Sequence, residues 1–236
     1  MGNSTVHFAL DTVAGSRSAI RLLNSACGWA EAIAGKTNFV FLGLALDTAA
    51  LSKNWLKPLD NEIYVVKGVK GLLTFKDKCW NKLDKNETAT VLRACQHFTK
   101  TISDSAAGLR CLAGFGFVIL TPYAKRLSLT KNVLAVTAGF FEIACSSLDL
   151  WKVANTKVKT EEEQKALNVR WSSDVLMIII QVFSIQLNLF GGLDTAFGSQ
   201  MDSRDRLPGT VFNFWGTSAS FLGLGLSAVK YFGSDN

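Results

Sequence analysis

Charge is the scarcest ingredient of this 236-residue sequence. Only 19% of its residues are Asp, Glu, Lys or Arg, against about 25% in an average soluble domain, too few to cover an ordinary water-facing surface. Proline occurs three times and histidine twice. So few prolines exclude a Pro-rich linker, and 48% hydrophobic residues exclude intrinsic disorder. The 19 glycines follow no three-residue period, which excludes collagen. The five cysteines, at 27, 79, 95, 111 and 145, are odd in number and lack CxxC spacing. That excludes a disulfide-dense secreted scaffold and a zinc or redox motif, and predicts reduced, mostly buried thiols.

The near-absence of histidine limits catalysis as well. Neither His7 nor His97 has an HExxH-like neighbour, and nucleophile triads and His metal sites need imidazoles placed with partners. The stretch Gly223 to Ala228 formally matches the dinucleotide fingerprint GxGxxA, but only eight residues follow it. No βαβ unit or ribose-binding acid can then be built. The expectation is a protein that is not an enzyme, with no cofactor and no metal. Met1–Gly15 contains no Lys or Arg and includes Asp11, unlike a cleaved secretory signal. Gly2 is followed by Val6 where a myristoylation motif wants Ser or Thr. The sequons at Asn3 and Asn86 matter only if those segments face a lumen.

What the sequence does hold is uncharged runs. Residues 207–229 form 23 consecutive uncharged positions between Arg206 and Lys230, and 175–193 form 19 between Asp174 and Asp194. At 1.5 Å per residue a helix of that length crosses a hydrocarbon core of roughly 30 Å. With the polar connection 194–206 between them and Pro208 near the start of the second, they predict a C-terminal transmembrane hairpin. Cys111–Ala124 and Asn132–Leu150 are weaker: the first is 14 residues long and the second carries Glu142 and Asp149. The run from Thr37 to Leu51, broken by Asp47, reads as a core helix. The segment 149–174 has five basic residues and 194–206 has two, which predicts both termini on the cytosolic side.

The front of the chain is amphipathic. Over residues 16–34, Ala19, Leu22, Leu23, Ala26, Trp29, Ala30 and Ile33 recur three and four apart, with Arg17, Arg21, Asn24 and Glu31 opposite. A second stripe runs through Val91, Cys95, Phe98, Ile102, Ala106, Leu109 and Ala113, with Asn86 as the expected N-cap. Such helices either pack on other helices or lie in the headgroup region. No segment alternates with period two, so a sheet protein is not expected. Near the C-terminus, Gly216 and Ser220, and Ala219, Gly223 and Ser227, fall four apart and form a small-residue strip suited to close helix contact, within the chain or between copies. The net charge of +6 is spread among acids without a basic run, so nucleic acid is not an expected partner.

The stretches AGSRSAIRLLNSACGWAEAIAG (14–35), LKPL (56–59), TVLRACQHFTKTISDSAAGLRCLAGF (90–115), FEIACSSLDLWKV (141–153) and GTSASFLGLGLSAVKYF (216–232) follow a layout that resembles the peroxisomal membrane-elongation peroxins, the peroxin eleven family. The resemblance implies a peroxisomal membrane protein that inserts amphipathic helices into the cytosolic leaflet, self-associates, engages fission or recruitment factors and elongates the organelle. It would carry membrane insertion over to the Arg17/Arg21 helix, with Leu22, Leu23 and Ile33 facing lipid. The hairpin over 175–229 is similar to inclusion-membrane proteins of intracellular bacterial pathogens, which implies a vacuole membrane instead.

The expected fold is therefore all-α. An amphipathic region over 1–110 precedes a membrane-associated region over 111–236, with spans at 175–193 and 207–229. The expected work is membrane shaping, with the bilayer and further copies of the chain as partners. A small transporter using Gln181, Gln186 and Asn188 is the rival, and a soluble bundle burying 175–229 is the third reading.

Overall fold

The computed structural model describes residues 17, 19–33, 38–41, 44–81, 87–157, 160–198 and 209–234. Gly2, Asn3, Asn86 and most of the 194–206 connection lie outside the described residues. The first helix, α1, includes residue 17 and residues 19–33. An antiparallel hairpin follows, β1 (Asn38–Phe41) pairing with β2 (Leu44–Asp47) in the register Asn38 to Asp47 and Phe41 to Leu44. This corrects the core helix expected over Thr37–Leu51. The sequence NFVF is rich in aromatic and β-branched residues, and two residues including Gly43 separate the strands, the chemistry of a tight hairpin. Asp47, which breaks the apolar run in sequence, is an N-cap: its Oδ1 accepts from Ala50 N at 3.0 Å and starts α2 (Thr48–Leu51).

A π-turn over Ser52–Leu56 leads into α3 (Lys57–Lys76), with Pro58 in the first turn, where its missing N–H costs nothing. Then come α4 (Thr88–Gly114), a 3₁₀ segment Val118–Tyr123, α5 (Ala124–Ala154), α6 (Glu161–Phe197) and α7 (Gly209–Ser234). Glu87, not Asn86, occupies the N-cap of α4. That helix ends in a Schellman motif: Phe117 N donates to Leu112 O and Gly116 N to Ala113 O, with Gly116 at φ +93°. The charged stretch 161–165 starts α6. Thr160 Oγ1 accepts from Glu163 N at 3.2 Å, and Glu161, Glu162 and Glu163 face the positive end of the α6 dipole.

From α3 to α7 each helix packs on its successor. Glycines set the close approaches. A Cβ on Gly68 would lie 3.1 Å from the Ser105 backbone, one on Gly108 3.3 Å from the Val65 backbone, and one on Gly139 2.7 Å from Ile185 Cγ1. Helix α1 bridges the two ends of the series. Arg17 and Arg21 bind Asp60 on α3, while Trp29 Nε1 donates to Thr217 Oγ1 on α7 at 3.1 Å.

Two helical stretches among the described residues are long and apolar enough to cross a membrane, Val118–Ala154 and Glu161–Phe197. The second contains the expected span 175–193. The first is the weaker sequence candidate rather than 207–229, whose helix α7 is diluted by Gly, Ser and Thr. Glu142 and Asp149 do not spoil α5, because Glu142 accepts from Gln96 Nε2 and Asp149 pairs with Arg93 and Arg170. Their charge is directed at neighbouring helices rather than outward.

The distribution of side chains is inverted relative to a water-soluble bundle. Most buried positions are small or polar, such as Ala106, Ala107, Gln96, Thr99, Ser103, Asn132 and Ser220; Leu56, Val153 and Leu226 are the larger apolar exceptions, and no large side chain among the described residues is fully enclosed. Large apolar side chains face outward: Leu73 is 79% exposed and Ile33 80%. The α4 stripe is split: Phe98, Ile102 and Leu109, which carry its largest apolar area, face out, while Ala106 is buried with Gln96, Thr99 and Ser103.

Candidate functional site

The inward faces of α1, α3, α4, α5 and α6 enclose a polar, cation-rich interior. Arg17 and Arg21 lie one turn apart on the first helix, which brings both guanidiniums onto one carboxylate. Arg17 Nε and Arg21 Nε each lie 3.0 Å from Asp60 Oδ1, and Arg21 Nη2 reaches Asp60 Oδ2 at 3.2 Å. Tyr64, one turn beyond Asp60 on α3, accepts from Arg21 Nη2 at 2.5 Å, and the Arg17 guanidinium lies 4.0 Å over its ring. From the far side, Lys131 Nζ donates to Asn132 Oδ1 and Asn188 Oδ1 at 3.0 Å each and stands 6.0 Å from the Tyr64 ring.

Two cavities flank this cluster. One, of about 450 Å³, lies between α1, α3, α4 and the start of α5, with Arg21, Asp60, Tyr64, Arg110 and Lys131 on its walls. The other, of about 140 Å³, runs inward between Lys100, Asp104, Glu142, Gln181 and Asn188. The electrostatics follow from the charge count. Burial pushes the Asp60 carboxyl up, but the Arg21 and Arg17 charges outweigh it and hold the group below its ordinary 3.8. Burial also raises the Tyr64 phenol, yet Arg17, Arg21 and Lys131 bring it down to about 8 from 10.0. Burial, reinforced by Arg17 and Lys100, lowers the Lys67 ammonium to about 7.

One consequence is open to direct measurement. Of the three tyrosines, Tyr64 is expected to ionise near pH 8, seen as an early step in tyrosinate absorbance that disappears in Tyr64→Phe. A single transition at the ordinary phenol value of about 10 would contradict the cation cluster.

The sequence-predicted residues divide into two groups. Arg17 and Arg21 are engaged with Asp60 inside the bundle, whereas Leu23 and Ile33 are exposed and Leu22 is half-buried. Asn24 and Glu31 of α1 are also occupied, with Ser52 Oγ donating to Asn24 Oδ1 and Thr48 Oγ1 to Glu31 Oε1. On α7, Gly216 faces Ser25 of α1, its Cβ position 3.2 Å from Ser25 Oγ, and Ser220 is buried. That part of the small-residue strip is covered within the chain. Ala219, Gly223 and Ser227 are partly accessible, and Ser227 Oγ donates to Gly223 O at 3.0 Å. Gln181 and Asn188 line the inner cavity, and Gln186 Oε1 is buried without a hydrogen-bond donor.

Comparison with protein-family models, curated proteins and solved structures finds no match to this chain. The site therefore stands on its own geometry.

Sequence reasoning missed Asp60, Tyr64, Arg110 and Lys131. The available signal was the one-turn spacing of Asp60 and Tyr64 on α3, matching the spacing of Arg17 and Arg21. No group of three metal-binding side chains occurs among the described residues. Burial pushes the Cys27, Cys79 and Cys111 thiols up, which keeps them protonated and unreactive near neutral pH.

Proposed function

We propose that the chain is an integral membrane protein that shapes or scaffolds the bilayer holding it. The observation that supports this reading is the inverted bundle: small and polar residues bury against one another while Leu73, Val69, Val66, Ile102 and Phe140 face outward. Water penalises such a surface, whereas lipid accepts it and leaves small-residue contacts and interhelical hydrogen bonds to hold the helices together. Helices α5 and α6 are the crossing hairpin. α7 packs along α6 through Phe190 and Trp215, stacked at 5.3 Å, and crosses with it. Three passes put residue 124 and residue 234 on opposite sides, a departure from a topology with the C-terminus returning to the cytosol.

The outward apolar faces of α1 and α3 carry Leu23, Ile33, Val66, Val69 and Leu73, and α3 begins at Lys57 and ends at Lys76. Lying in one leaflet beside the crossing helices, they expand that leaflet and bend the membrane. The peroxisomal membrane is the compartment suggested by the layout, and a pathogen vacuole is the alternative. Self-association uses the accessible part of α7 around Ala219 and Gly223.

The test is reconstitution of the full chain into liposomes followed by electron microscopy. Tubulation or flattening that grows with protein density is the expected result. Spherical vesicles at every density, with the protein resistant to alkaline carbonate extraction, would reject shaping while leaving membrane insertion intact. Release by carbonate would reject both.

A second reading rests on the cavity lined by Gln181, Ser184 and Asn188, which places polar side chains around a space between the helices. Solute flux in the same liposomes, without a change of shape, would favour it.

A further inference from the structure

We propose that the cavity between α1, α3, α4 and the start of α5 is a phosphate-group site, and that its occupant is an anionic phospholipid whose headgroup phosphate sits between Arg110, Lys131 and Arg21. Three cations and one carboxylate, Asp60, line about 450 Å³ of space. Asp60 is already committed to Arg17 and Arg21. Neither Arg110 nor Lys131 has an ion-pair partner among the described residues; Lys131 is held by the neutral amides of Asn132 and Asn188 and stands near the Tyr64 ring. Two uncompensated charges facing one cavity call for an anion, and an arginine fork with an ammonium opposite is the donor set that suits phosphate oxygens.

The surroundings favour a phosphate that carries acyl chains. Phe115 lines the cavity mouth, and the chain runs on through Phe117, Val118 and Ile119, the last two 77% and 85% exposed. This apolar lip follows the turn that Gly116 makes at the end of α4, and it adjoins the end of α5 that carries Lys125 and Arg126. A headgroup in the cavity and acyl chains over Phe117–Ile119 match that order of polar and apolar surface. The low Tyr64 pKa, about 8, reports the same local excess of positive charge.

The test uses the full chain in a neutral detergent and follows its thermal unfolding with three probes: short-chain phosphatidic acid, inorganic phosphate and short-chain phosphatidylcholine. The expected result is a saturable stabilisation by phosphatidic acid, at least tenfold weaker in apparent affinity in Arg110→Gln and retained in Arg110→Lys. Arg110 is exposed on α4, so its replacement leaves the packing intact. Lys125→Gln, a basic residue at the same end but outside the cavity, is expected to bind as the native chain does. Stabilisation by inorganic phosphate with equal affinity, also lost in Arg110→Gln, would keep the phosphate site but overturn the lipid occupant. Equal response in Arg110→Gln and the native chain, equal loss in Lys125→Gln, or no saturable response to either phosphate would overturn the site itself.

Discussion

Replacing Gly139 with leucine is expected to cost about 3 kcal/mol of stability, at the upper end of the usual cost of overpacking, measured by equilibrium unfolding in detergent. At Gly139 even the first carbon of a side chain would sit 2.7 Å from Ile185 Cγ1 and 3.1 Å from Cδ1. Cγ1 is not the free end of a flexible chain, so the isoleucine must leave its rotamer or α5 and α6 must separate. Gly139→Ala poses the same problem with one methyl and is expected to cost about 1–2 kcal/mol despite alanine's better helix propensity. The cause is checked by a double-mutant cycle: Ile185→Ala in the Gly139→Ala background should return part of the loss, a coupling of about 1 kcal/mol for residues in contact. A Gly139→Ala protein as stable as the native chain would mean that the two helices do not meet here.

Asp60→Asn is the second large effect, expected at about 2–3 kcal/mol. Removing one partner of a buried ion pair typically costs 3–5 kcal/mol because the other charge is left uncompensated. Asp60 has a side-chain exposure of 20%, and its partners Arg17 and Arg21 have 14% and 41%, so water moderates the loss. Two guanidiniums share this one carboxylate, and the amide leaves both near Lys131 without an anion. The same pair gives a pH dependence. The folded carboxyl titrates below its ordinary 3.8, so its contribution is complete above that unfolded value and is lost as the pH falls through the depressed folded value. Acid titration should therefore destabilise the native chain over that range, and Asp60→Asn should show a smaller decline. Identical acid profiles would contradict the pairing.

The periodicity of the helices was legible in the sequence, but their direction was not. The three-and-four spacing of Leu22, Ala26, Trp29 and Ile33 marks a helix whatever surrounds it. Whether that stripe turns inward or outward depends on what the opposite stripe meets. Here Arg17, Arg21, Asn24 and Glu31 meet Asp60, Ser52 and Thr48, partners separated from them by 17 to 43 residues. No local pattern reports such pairings. The same kind of pairing made α5 look the weaker candidate: Glu142 and Asp149 count against a crossing helix until Gln96, Arg93 and Arg170 are found beside them. The hairpin of β1 and β2 was missed because four residues per strand are too few to establish alternation, and Asp47 looks like an interruption until its capping bond is seen. The candidate site draws on five helices, so only the spacing within each contributor could be read in advance.

The contact between Trp29 and Thr217 joins residues 188 positions apart. During synthesis at roughly 5–20 residues per second, α1 emerges about 10–40 s before the part of α7 it packs against. Helices α3 to α6 can assemble in order of appearance, each onto its predecessor, but α1 cannot complete its seat until the last helix arrives. Until then its apolar face and the open side of the bundle remain available to membrane, chaperone or another copy. Closing the chain on itself is thus a late step, and a nascent protein arrested before Gly209 holds its first helix through Thr48, Ser52, Asp60 and Tyr64.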